Sequence, residues 1–207
     1  MPSPEQSIRV NQIILAPHRG HSNDLGEYDR GHDSGPIAEV DVLQQLCQAI
    51  EHEFDDYGLR WYTLDVFRRP GVRYADRPMK IEPHSIVLDL RCGWYKSPRS
   101  RNMSAVWYGN NATHLLAERF HEALSEWGAC TNFGHRVAIP KLDGNQPIIG
   151  RQHIHGVRMD LFAMNGPEVD SYCRRLRELG RDLAVVVVDF LRGKDAPAGV
   201  GRGVYVR

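Results

Sequence analysis

The feature that most constrains this chain is a change of period near its start. Residues 10–17 read Val-Asn-Gln-Ile-Ile-Leu-Ala-Pro, a short apolar run closed by a proline. From Pro36 the apolar residues recur instead at three- and four-residue steps: Ile37, Val40, Leu43, Cys47, Ile50 and Phe54. The first pattern is that of a buried strand, and the second that of an amphipathic helix laid on a sheet. Pro36 suits a first helical turn and Gly58 a C-terminal stop. The aromatic and β-branched stretch 59–66 then reads as a second strand, so the opening third of the chain predicts a strand–helix–strand unit.

The same alternation continues. Strands are predicted at 85–91 and 103–108, followed by a helix over 111–127 with Leu116, Phe120, Leu124 and Trp127 on one face and Gly128 as its stop. Further strands are expected near 136–139 and 157–164. Asn165, Pro167 and Glu168 supply a cap, a first-turn proline and an early acid for a last helix. Its stripe is Val169, Tyr172, Cys173, Leu176, Leu179, Leu183, Val187 and Phe190. Val185 to Val188 alone would suit a strand, but the stripe runs straight through them, which favours helix. Residues 193–207, with their Gly, Ala and Pro, read as a loose tail. The expected architecture is one three-layer α/β domain over residues 1–192, without repeats or a dividing linker.

Composition bounds the function. Of 207 residues 42% are hydrophobic, enough for a core without disulfide or metal staples. Lys+Arg and Asp+Glu both number 26, and this neutrality disfavours nucleic-acid binding by bulk charge. No run approaches the ~18 apolar residues of a membrane span, and the first residues lack the basic and apolar regions of a secretory signal, so the chain is expected to be cytoplasmic as synthesised. Cys47, Cys92, Cys130 and Cys173 form no CxxC pair and read as buried thiols. The ten histidines are the compositional oddity. They bunch at 18–32 and 153–155, and the long aperiodic stretch 18–35 that carries His18, His21 and His32 has the length of a functional loop.

Ligands of open α/β sheets collect at the carboxyl ends of the strands. The polar side chains expected there are His18 after the first strand, Asp89 and Arg91 in the third, and Asp160 in the last. Glu39, in the first turn of the following helix, can face the same edge as His18. A His, a Glu and a third donor with one open position is the composition of a catalytic zinc site. The plainer readings stand beside it: a loop histidine, a dipole partner for the helix, and two strand carboxylates paired with Arg91 and Arg158. A carboxylate in an apolar strand needs such a partner or a metal, because burying it alone costs several kcal/mol.

The order of these features resembles the zinc-dependent N-acetylmuramoyl-L-alanine amidases, a peptidoglycan-cleaving family with a phosphorylase/hydrolase-like α/β fold and a mixed, mostly parallel central sheet. Ala16-Pro17-His18-Arg19-Gly20 stands at the family's GHGG-like turn, and the stretch ending in Gly35-Pro36-Ile37-Ala38-Glu39 stands where the family has its glycine and second ligand. Residues 157–168, with Phe162, Asn165 and Glu168, are similar to the family's late strand segment, and Asp160 takes the place of its catalytic Glu. Residues 104–109 and 113–118 fit its aromatic strand and the helix after it. The likeness spans about residues 10 to 192. The family's SIHxN segment is replaced by Val87-Leu88-Asp89-Leu90-Arg91.

The resemblance implies one zinc ion held by His18, Glu39 and Asp89, with Asp160 as general base and Arg91 as a catalytic cation. Arg158 and His155 are then substrate-binding, and His153 and His155 are candidates for proton delivery to the leaving amine. The implied substrate is peptidoglycan or a small amide, cleaved between a muramic-acid lactyl group and L-alanine, reached by an export route such as phage lysis enzymes use. A second resemblance, to N-formylglutamate amidohydrolases, rests on the Pro-His-x-Gly turn and on residues 86–91, which are similar to a VxDLNR strand. There Arg91 binds a substrate carboxylate. The non-enzyme alternative is a degenerate amidase-like binding or structural domain, motivated by Asp at both substituted motif positions.

Overall fold

The computed structural model describes residues 10, 12–17, 30–33, 37–63, 84–94, 104–108, 113–127, 130–137, 155–167 and 169–193. The elements are β1 (Gln12–Pro17), α1 (Glu39–Asp56), β2 (Trp61–Thr63), β3 (Ser85–Gly93), β4 (Ser104–Tyr108), α2 (His114–Glu126), β5 (Cys130–Val137), β6 (His155–Ala163), α3 (Val169–Arg174) and α4 (Leu176–Leu191). The strands form one six-stranded sheet in the order β2-β1-β3-β6-β4-β5. β1 pairs in parallel with β2 and β3, and β3 with β6, while β4 runs antiparallel to β6 and parallel to β5. The expected mixed, mostly parallel α/β sheet is therefore present.

Side chains alternate between the two faces of a strand. Ile13 and Leu15 of β1, Ile86, Leu88, Leu90 and Cys92 of β3, and Val157, Met159 and Leu161 of β6 join one core cluster with the inner stripes of α1, α2 and α4. On the other face lie Ile14, Ala16, Ser85, Val87 and Asp89, which are buried as well. A sheet buried on both faces explains why its central strands read as nearly continuous apolar runs. It also means that a charge such as Asp89 on the second face is removed from water.

The helices follow their predicted stripes with two differences. α1 starts at Glu39 rather than at Pro36, because residues 30–33 fold back on its first turn: Asp33 bridges Ala38, Glu39 N–H donates to the His32 carbonyl (2.7 Å) and Val40 N–H to that of Arg30 (3.1 Å). Asp41 closes the turn by accepting from Ala38 N–H at 3.2 Å. The last helix divides at Arg175. Its amide donates back to the Tyr172 carbonyl at 2.9 Å, its Nε donates to Glu178 at 2.8 Å, and its guanidinium lies over the Trp127 ring at 4.3 Å. Residues 185–188 are helical, as the stripe predicts. β5 begins earlier than expected, where Cys130 pairs with Ser104 across a register shift. Of the expected tail 193–207, residues 194–207 lie outside the described residues.

Candidate active site

The parallel strands β1, β3 and β6 all end at one edge of the sheet, and the N-terminus of α1 meets that edge. Glu39, the first residue of α1, is fully buried. Its Oε1 accepts from Cys92 N–H at 2.8 Å, near the end of β3, and its Oε2 accepts from His32 N–H at 3.1 Å. The carboxylate thus ties the helix start, the returning segment 30–33 and the strand end together, in the position where a helix dipole favours negative charge. The His32 ring stacks on Trp94, with centroids 5.3 Å apart and planes at 25°. Trp94 stays 47% exposed just beyond β3.

One strand over, four charges share the face turned away from the helices. Asp89 is level with Arg158 and Arg91 with Asp160 in the β3–β6 register. Along β3, Arg91 Nε stands 3.7 Å from Asp89 Oδ1. Along β6, Arg158 Nε donates to Asp160 Oδ1 at 3.1 Å and Nη2 to Oδ2 at 3.4 Å. Asp89 is fully buried, whereas the Asp160 side chain keeps 19% exposure. The pairing of both strand carboxylates with neighbouring arginines, weighed from sequence, is what the structure shows.

The expected site residues are only partly brought together. Glu39, Arg91 and Asp160 gather at the carboxyl ends of β3 and β6, with Arg158 bracing Asp160. Asp89 lies three residues before Cys92, about 10 Å down the strand from the amide that Glu39 holds. Ligands of one zinc ion all lie within about 2.3 Å of it. Glu39 and Asp89 therefore do not converge on a single ion, and among the described residues no group of three His, Cys, Asp or Glu could hold a metal. The expected zinc set, which includes His18, stays an expectation. His18, the remaining member, lies outside the described residues, as do His153 and Glu168. His155 begins β6, level with Ile86, at the opposite edge of the sheet. Strand direction separates it from Asp160 by about 16 Å, so it is not placed to serve a leaving group at that carboxylate.

Sequence reasoning missed His32, Trp94 and the Cys92 amide. A backbone donor has no side-chain signature, and His32 had only its membership of the histidine-bearing loop to mark it.

No sequence-family model matches the chain, and no curated protein sequence matches it. Solved structures do. The N-acetylmuramyl-L-alanine amidase of Mycobacterium smegmatis superposes with a TM-score of 0.65 at 12% identity, over 87% of this chain and 97% of that one. The catalytic domain of the CD27L endolysin targeting Clostridia difficile gives 0.63 at 15% identity, over 86% and 95%. An N-acetylmuramoyl-L-alanine amidase of Nostoc punctiforme gives 0.57 at 15% identity, over 87% and 94%. Across nearly its whole length, the chain has the fold of the N-acetylmuramoyl-L-alanine amidase catalytic domains.

Proposed function

We propose that the chain is an amide hydrolase of the peptidoglycan amidase type, acting on the bond between a muramic-acid lactyl group and the L-alanine of a stem peptide. The observation that carries this reading is the placement of Arg91 and Asp160 side by side at the carboxyl edge of the parallel strands, next to the strand end fixed by Glu39. Asp160 is partly open to solvent, as a base that deprotonates an attacking water must be. Arg158 donates to both its oxygens and fixes its orientation. Arg91, a permanent cation one strand away, supplies positive charge for the oxyanion that forms at the amide carbon. Glu39 positions the strand end and does not take part in proton transfer.

A second reading, a non-catalytic amidase-like binding domain, is favoured by the same forked contact, because a carboxylate held at both oxygens has fewer free lone pairs for water. The two readings separate in one assay. Purified peptidoglycan incubated with the chain is expected to yield stem peptides with a new free L-alanine amine, and Asp160→Asn should slow that release by about 100-fold or more. Retention on peptidoglycan with no release would select the binding reading.

A further inference from the structure

The two aspartates and two arginines of β3 and β6 form a closed two-by-two lattice. Across the strands Asp89 faces Arg158 and Arg91 faces Asp160. Along the strands Asp89 neighbours Arg91 and Arg158 neighbours Asp160. Each charge thus has an opposite charge next to it along its strand and another level with it on the neighbouring strand, and the four sum to zero. The lattice lies in a desolvated place, since Asp89 is 0% and Arg91 7% exposed. Asp89, fully buried, and Asp160, with only 19% of its side chain exposed, together call for two units of positive charge. A divalent cation is one source of that charge, and two guanidinium groups are another.

The second source excludes the first. A guanidinium has no lone pair to give a metal and does not lose its proton in a protein. A metal ion approaching either carboxylate would meet a guanidinium beside it, 3.1 Å from Asp160 Oδ1 and 3.7 Å from Asp89 Oδ1. We propose that Arg91 and Arg158 take the place of a metal at this face of the sheet, so that Asp89 and Asp160 ligate no divalent cation. The inference does not depend on whether the chain cleaves an amide.

Titration with zinc ions tests it directly. The full chain, stripped of metal, is compared with Asp89→Asn and Asp160→Asn by calorimetry and by metal content after dialysis. The same zinc stoichiometry and affinity in all three, including none in any, is the expected result. Loss of a zinc equivalent, or binding weaker by about tenfold or more in either variant, overturns the proposal. Stability gives an independent reading. Arg158→Met should lower the urea midpoint by removing the forked contact to Asp160, and Arg158→Met with Asp160→Asn should recover most of that loss. The doubly neutral chain also serves for zinc titration if a single variant fails to fold. Additive losses in the double variant would show that no such lattice operates.

Discussion

Replacing Glu39 by glutamine changes one oxygen to an amide nitrogen and removes the charge, while keeping the shape. Both carboxylate oxygens accept backbone N–H groups, from Cys92 at 2.8 Å and His32 at 3.1 Å. In the glutamine chain one of those N–H groups must face an NH2 group, donor against donor. A hydrogen bond to a charged acceptor is worth about 1.5–3 kcal/mol, and a buried donor left unsatisfied costs about 1–3 kcal/mol. These overlap in part, so Glu39→Gln is expected to cost about 2–4 kcal/mol. Near the thermal midpoint of a chain of this size that is a fall of about 4–16 °C. Urea unfolding followed by tryptophan fluorescence measures the same quantity, and Trp94, stacked on His32, reports on the affected corner. Glu39→Ala loses both bonds and threatens a total stability of only about 5–15 kcal/mol, so glutamine is the cleaner probe. A loss below about 1 kcal/mol would refute the view that this carboxylate fastens the helix start to the strand end.

Two further outcomes follow from packing and burial. A methyl group at Gly180 would stand 2.6 Å from Ala49 Cβ and 3.2 Å from the Leu46 carbonyl. Gly180→Ala should therefore lose about 1–2 kcal/mol by equilibrium unfolding, because overpacking between α1 and α4 outweighs a gain of about 1 kcal/mol in helix propensity; a stabilised variant would sink this. Burial, with Glu51 nearby, pushes the Cys47 thiol far above its ordinary value of 9.0, and burial also raises Cys173. The unfolded chain then releases these protons while the folded chain keeps them. Stability should fall above pH 9 by about 1.4 kcal/mol per pH unit through Cys47, and Cys47→Ala should flatten that slope.

Much of the fold was legible in the sequence because it rests on periodicity. The stripe Val40, Leu43, Cys47, Ile50, Phe54 marks α1 without reference to anything distant. The break at Arg175 was not legible, since one apolar stripe runs through α3 and α4 and the Arg175 guanidinium lies over Trp127, far away in sequence. Glu39 could be found because a first-turn acid after a strand meets the strand edge by local geometry. Asp89 misled because strand membership alone does not say how far a residue stands from the edge. Its place was decided by a register with β6 that brings Arg158 alongside. His155 misled for a related reason: nearness to Asp160 along the sequence became distance in an extended strand.

The reversal of β4 divides the chain's connections between two rims. β3 ends and β4 begins at the rim that holds Glu39, whereas β5 ends and β6 begins at the opposite one. Val137 and His155 therefore stand at the far rim, whereas Gly93 and Ser104 stand at the carboxyl edge. A chain break opened at Val137 or His155 would cut the sheet at the rim away from Glu39 and Asp160, and one at Gly93 or Ser104 would cut it beside them.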